Sequence, residues 1–251
     1  MPQRFLLAVR SLGAAHRCLR GAAKLISAWC ALLRVKALEF EGMVIERIRH
    51  AGFRLSSGGV TVYIDPFNVP RSTNDGDVVI CTHDHYDHCS PEDVRKVARK
   101  DAVIVASVNC ESKVKKLGFE YKILKPGEAV FIRGIEVKAV PAYNVGKRFH
   151  TRDYQGIGVV VKLAGVSVYH AGDTDFIPEM EKLKGVVDVA LLPVSGVYVM
   201  DASEAARAAL AITPKVAIPM HYGEIVGSAS DAEAFKRALE GKIRVEILEG
   251  W

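Results

Sequence analysis

An α/β sandwich, with sheets packed on one another and helices outside, is the fold class this sequence predicts. Three observations carry that prediction. Strand-like segments lead each half of the chain and helical segments follow them. Hydrophobic residues make up 49% and charged residues 25% of the 251 positions, enough apolar material to offset chain entropy, so extended disorder is excluded. The longest nearly apolar stretch, residues 25–33, is bounded by Lys24 and Arg34 and is far short of the ~20 residues a membrane-spanning helix needs. Five cysteines, an odd and scattered number, fit free thiols in a reducing cytoplasm better than a disulfide framework.

The net charge of +5 is unevenly placed. Residues 1–38 hold seven basic side chains (Arg4, Arg10, Arg17, Arg20, Lys24, Arg34, Lys36) and no acid. Taking these seven from the 34 basic residues leaves 27 against 29 acidic ones, a net of −2 for the remainder. A nucleic-acid-binding surface on the core is therefore not expected. The basic segment, residues 1–42, reads in three ways: an amphipathic helix lying on a membrane or partner surface, a targeting peptide, or an appendage ahead of a domain that opens at Met43. Residues 43–251 contain no linker or low-complexity tract and are expected to form one domain.

Within that domain the elements follow in order. Alternation over 44–49 predicts a strand, Gly58-Gly59 a hairpin turn, and Val60 to Ile64 a second strand ending at Asp65-Pro66. Residues 77–82 form a short apolar strand that runs into a polar loop, His83 to Cys89. Ser90-Pro91-Glu92-Asp93 opens a helix, with Ser90 as N-cap, proline in the first turn and acids at the positive helix end. Residues 102–106 read as strand, 112–117 as short helix, and 129–139 as a hairpin broken at Arg133-Gly134. A further hairpin, 156–163 with 166–169, turns at Ala164-Gly165. Residues 187–192 form a buried strand, 202–212 an Ala-rich helix, 216–219 a strand and 231–239 the last helix. Gly59-Val60-Thr61-Val62-Tyr63-Ile64-Asp65 is echoed by Gly165-Val166-Ser167-Val168-Tyr169-His170, which reaches Asp173; both strands deliver a carboxylate, as a duplicated half-domain would.

The strongest chemical signal is His83-Asp84-His85-Tyr86-Asp87-His88, three imidazoles and two carboxylates in a loop between a strand and a helix. So many uncompensated donors together call for a partner charge. Alternation sets His83 and His85 on one side, and the turn lets Asp87 and His88 face another point, so two adjacent ions can be served. The donor set suits Zn²⁺ first and also Mn²⁺ or iron.

This H-x-H-x-D-H pattern resembles the metallo-β-lactamase superfamily, and the resemblance runs on through the chain. Asp65 matches its early strand-end aspartate, His150 its lone histidine, Asp173 in Ala-Gly-Asp-Thr its bridging aspartate, and His221 in Pro-Met-His-Tyr-Gly its last strand-end histidine. The last two stretches are most similar to the branch that includes ascorbate-6-phosphate lactonase. Pro141-Ala142-Tyr143-Asn144 departs from the pattern in lacking a histidine, so His150, ahead of the 156–163 strand, takes that place. The resemblance implies a four-layer αββα sandwich and two divalent metal ions. It assigns His83, His85 and His150 to one ion, Asp87, His88 and His221 to the other, and Asp173 to the bridge. Asp65 would orient a ligand histidine from behind. Implied with these is a hydrolase in which a bridging hydroxide cleaves a small ester, lactone or phosphoester, with Asp87 and Asp173 as the catalytic carboxylates. Nuclease or phosphodiesterase activity of the same fold, di-iron redox chemistry, and a non-catalytic metal-holding binding protein are the alternatives.

Other residues stay open on sequence alone. His50 either lines the site or is structural, and His170 is more in keeping with packing. Arg148, with Lys147 and Arg152, could clamp an anionic group of the substrate, and Tyr222 could donate to an oxyanion. Cys81 and Cys89 bracket the histidine loop; they could be thiolate ligands, but neither has a Cys-x-x-Cys partner, and buried free thiols are common.

Overall fold

The computed structural model describes residues 36–251. The expectations attached to the basic segment fall mostly on residues 1–35 and lie outside the described residues. The end of that segment is described, and it belongs to the fold. Strand β1 (Ala37–Phe40) pairs antiparallel with β2 (Met43–Arg47), and Leu38 is buried in the main core. The folded unit therefore begins before Met43, the start expected from the change in texture. Four residues ahead of a tight turn at Glu41-Gly42 are too few for their alternation to stand out against the basic segment.

Two seven-stranded sheets follow one plan. The first runs in order from β1 and β2 through β3 (Phe53–Ser57), β4 (Val60–Ile64), β5 (Gly76–Cys81), β6 (Ala98–Ser107) and β7 (Glu120–Leu124). The second contains β8 (Ala129–Ile132), β9 (Ile135–Pro141), β10 (Ile157–Leu163), β11 (Val166–His170), β12 (Val189–Pro193), β13 (Val216–Met220) and β14 (Arg244–Val245). In each sheet the first four strands are an antiparallel meander and the last three are added in parallel. The echo between β4 and β11 now has a topological meaning: both are the strand at which pairing changes from antiparallel to parallel. The loops that follow them carry Asp65 and Asp173.

Side-chain alternation builds the layers. Val78 and Ile80 of β5 face the core between the sheets, whereas Val79 and Cys81 face a second cluster under the helices α1 (Pro91–Val97) and α2 (Glu111–Val114). Strand β6 divides in the same way, Val105 inward and Ile104 and Ala106 outward. On the other side α3 (Ala202–Ile212) and α4 (Ala229–Ala238) cover the second sheet with Ala205, Ala209, Ala232 and Phe235. The result is the expected αββα sandwich. Helix ends follow the predicted chemistry: the Ser90 hydroxyl accepts from the Asp93 N–H, Asp201 accepts from the Glu204 N–H, and Ser228 with Asp231 forms a capping box. Strands β3, β7 and β14 were not expected. β7 lies at a sheet edge, and its exposed Glu120 and Lys122 are residue types depleted in strands.

One glycine has a role at the edge where the site forms. Gly172, at φ +65°, sits against the Ile157 carbonyl, and a Cβ added there would lie 2.7 Å from that oxygen. Gly172→Ala is expected to destabilise the domain by about 2 kcal/mol or more, combining left-handed backbone strain with a backbone clash. Denaturant titration checks this; an unchanged midpoint would show that β10 and the β11 turn can separate freely.

Candidate metal centre

Every residue of the site leaves the carboxyl end of a strand, where an open α/β sheet presents its loops. His50 follows β2, Asp65 follows β4, and the His83–His88 loop follows β5. His150 lies between β9 and β10, Asp173 follows β11, and His221 follows β13. The two sheets are joined at this edge by backbone hydrogen bonds, from His221 N–H to the His50 carbonyl at 3.0 Å and from Ile157 N–H to the Thr82 carbonyl at 3.0 Å. Five of the twelve described non-glycine residues at positive φ are here: His50, Asp65, His150, Tyr198 and His221. That backbone is unfavourable for L residues and gathers where a structure needs side chains turned out of a regular path.

The side chains form two groups of four, the donor atoms of each group all within 4.8 Å of one another: His83, His85, His150 and Asp173 in the first, and His50, Asp87, His88 and His221 in the second. In the first, His85 Nδ1 lies 3.1 Å from His83 Nε2 and 3.0 Å from His150 Nε2. Asp173 stands between the groups. Its Oδ2 is 3.1 Å from His221 Nε2, 3.5 Å from His150 Nε2 and 3.8 Å from His83 Nε2, and its Oδ1 is 3.4 Å from His88 Nε2. Nε2 of His50 approaches Asp87 Oδ2 at 3.3 Å. His50 was left open between lining the site and a structural role, and the fold brings it into the second group.

The rings are held from behind. His88 Nδ1 donates to Asp65 Oδ2 at 2.7 Å, and Asp65 is itself fixed by the Thr82 N–H and hydroxyl. His83 Nδ1 meets the Thr82 hydroxyl, His221 Nδ1 meets the Ser195 hydroxyl, and His150 Nδ1 meets the Tyr198 carbonyl. Each contact leaves Nε2 free to point at the centre. Tyr154 packs its ring 5.6 Å from His85 and 5.8 Å from His150 and donates its hydroxyl to Asp84. Lys113 Nζ ties the same loop through the Asp84 and Cys89 carbonyls.

The electrostatics of this arrangement follow from burial and from the carboxylates between the rings. Burial pushes His83 well below the usual imidazole range and also lowers His50 and His150. Burial opposes the charged form of His88 too, yet Asp173, Asp65 and Asp87 outweigh it and raise His88 to about 10. Asp173 goes the other way: burial would raise it, and His221 and His88 hold it well below the carboxylate range. Both ring nitrogens of His50, Nε2 of His88 and Oδ1 of Asp173 are buried without a hydrogen-bond partner. Buried polar atoms are normally satisfied, and this concentration of lone pairs and carboxylate charge is what divalent cations would satisfy. The residues present therefore fit a metal pair.

Two expectations are corrected. Tyr222 does not face the cavity; it is buried with its ring under the Arg47 guanidinium, 4.1 Å from the ring centre. Arg148 is exposed, does not line the cavity, and forms no clamp with its neighbours. Lys147 is paired with Asp175, and Arg152 with Glu179. Cys81 and Cys89 belong to neither donor group; with Cys110 they are free, buried thiols in the cluster beneath α1 and α2. His170 is structural: its Nε2–H donates to the Ala51 carbonyl at 2.8 Å and its Nδ1 accepts from the Gly172 N–H. Asn144, Tyr154, Ser195 and Tyr198 were not singled out, since single polar or aromatic residues in loops carry no pattern of their own.

Comparison with known proteins agrees with this geometry. A family model described as the beta-lactamase superfamily domain matches residues 44–221. A UPF0173 metal-dependent hydrolase of Thermoplasma acidophilum is 35% identical over 215 residues, covering 79% of this chain and 91% of that protein. Another, of Methanopyrus kandleri, is 35% identical over 225 residues, covering 82% and 97%. Among solved structures, a protein of Parabacteroides distasonis superposes with a TM-score of 0.72 at 33% identity, covering 86% of this chain and 98% of that one. Igni18, a metallo hydrolase of Ignicoccus hospitalis, gives 0.69 at 26% identity, covering 82% and 95%. With most of its length matched by that model and by relatives one third identical almost end to end, the chain belongs to the beta-lactamase superfamily, among the UPF0173 metal-dependent hydrolases.

Proposed function

We propose that this protein is a metal-dependent hydrolase that cleaves a small ester, lactone or phosphoester at a binuclear centre. The observation that supports it most is Asp173, whose Oδ2 lies 3.1 Å from His221 of one donor group and 3.5 Å from His150 of the other. His83, His85 and His150 would hold one divalent cation, and Asp87, His88, His221 and the added His50 the second, with Asp173 shared. Zn²⁺ suits this nitrogen-rich set, and Mn²⁺ or iron would also be accepted. Bound there, such a pair supplies Lewis acidity and acidifies a shared water near neutral pH.

The chain's own residues then do the positioning. Asp87 and Asp173 line the cavity and, ionised, can only accept hydrogen bonds, so they orient an attacking water by its protons. Thr82, Ser195 and the Tyr198 carbonyl fix the ring planes of His83, His221 and His150. Asp65 does the same for His88. In Asp65→Asn the affinity for the second ion is expected to fall about 10–100-fold while the first site fills normally, as read by metal titration. Equal loss at both sites would show that Asp65 supports the fold and not that ligand.

Elemental analysis of the purified protein, followed by a screen on nitrophenyl esters, lactones and bis-nitrophenyl phosphate, tests the whole reading. Two transition-metal ions per chain with turnover of one substrate class are expected. A fully loaded protein inert on the entire panel would favour a metal-holding binding protein.

A further inference from the structure

The cavity over the two donor groups measures about 280 Å³, just under the ~300–1,000 Å³ usual for small-molecule pockets. Its wall is Tyr86, Phe149, Tyr198, Ile225 and Val226. Single exposed apolar residues are ordinary, but here Phe149 (46%), Tyr198 (44%) and Ile225 (42%) are exposed around one opening above a charged floor. This rim is built in advance. The Phe149 and Tyr198 rings meet edge to face at 5.2 Å. The Asn144 amide donates to both of their backbone carbonyls and so clips the two loops together. Tyr198 is held at φ +67°, a strained backbone for an aromatic residue.

Among the described residues no lysine or arginine lines the cavity; Lys147 pairs with Asp175, Arg152 with Glu179 and Arg49 with Glu224, and Arg148 is exposed outside the lining. A phosphorylated or otherwise anionic arm would find no charge-assisted donor there. We propose that the substrate carries an uncharged apolar arm, the alkyl or aromatic acyl part of an ester or lactone, seated between the Phe149–Tyr198 pair and Ile225–Val226. This rests on the hydrolase reading above and narrows its substrate class to one with an apolar arm.

Two series on metal-replete protein test it. Calorimetric binding of the linear carboxylates from acetate to octanoate, which mimic the acid product, should tighten by about fourfold per methylene until the cavity is filled. Hydrolysis of nitrophenyl esters of the same lengths should show kcat/KM rising in parallel, mainly through KM. Phe149→Ser and Ile225→Ser, both at exposed positions, should flatten both series, and Arg148→Ala should not. Octanoate binding no tighter than acetate overturns the proposal, as does ester cleavage indifferent to acyl length and to both serine variants, in which case hydrolysis itself still stands. Carboxylates that tighten with length while no ester turns over would uphold the apolar arm and reject the hydrolase reading instead. A flat carboxylate series together with Phe149-dependent sedimentation on phosphatidylcholine vesicles would assign the rim to a lipid surface and overturn the proposal.

Discussion

Asp173→Ala is expected to lower hydrolysis by at least about three decades and to reduce the metal content from two ions to one or fewer. Asp173 is the group that reaches both donor clusters, its Oδ2 among His83, His150 and His221 and its Oδ1 toward His88. Its removal takes a negative charge from between four buried imidazoles, so the second cation would enter against fewer ligands and less compensating charge. Several kcal/mol of charge stabilisation in the proposed reaction would depend on that cation, and about 4 kcal/mol corresponds to three decades. Asp173→Asn separates charge from shape, because the amide keeps the packing. If shape alone mattered, Asn would restore loading and rate. Full metal content in the alanine variant would reject the bridging role.

Exhaustive chelation of both ions is expected to lower the melting temperature by about 15–30 °C. Ions bound at a thousand times their dissociation constant each add about 4 kcal/mol to the native state, and a domain of this size shifts ~2–4 °C per kcal/mol. The structure shows what the apo-protein must then carry: both nitrogens of His50, Nε2 of His88 and Oδ1 of Asp173, buried and unsatisfied. Differential scanning calorimetry of the same sample before chelation, after it, and after zinc is returned gives the comparison. An unchanged transition in a verified metal-free sample would mean that these atoms find their partners in water, and the metal reading would fall.

Much of this architecture is legible in one dimension because it rests on local periods. Val60–Ile64 and Ala202–Ile212 have the bounds that alternation and composition predict. The Ser90 cap and the Ala164-Gly165 turn are written in residues whose backbone preferences are strong. The His83–His88 loop is readable because its donors are contiguous. His150, Asp173 and His221 stand alone in the chain, and only the resemblance of their surroundings to a known family singled them out. Neither source could settle His50, a single histidine beside a turn, until the fold brought its ring centre within 4.0 Å of that of His221.

The misplaced residues share a cause. Tyr222 follows His221 directly and Arg148 lies two residues before His150, and nearness in sequence suggested a common direction. His221 and His150 are both in the left-handed region, where strand alternation no longer says which way a neighbour points. Tyr222 turns back onto Arg47, and Arg148 turns out to solvent while Phe149 takes the cavity wall. By itself the sequence determined the layers, the caps and the chemical types of the donors, since these follow from contacts a few residues apart. The tertiary structure alone decided that His50 joins the second of the two donor groups, and that an apolar rim stands over them. Those facts depend on the carboxyl ends of strands from two different sheets meeting at one edge, which no local period encodes.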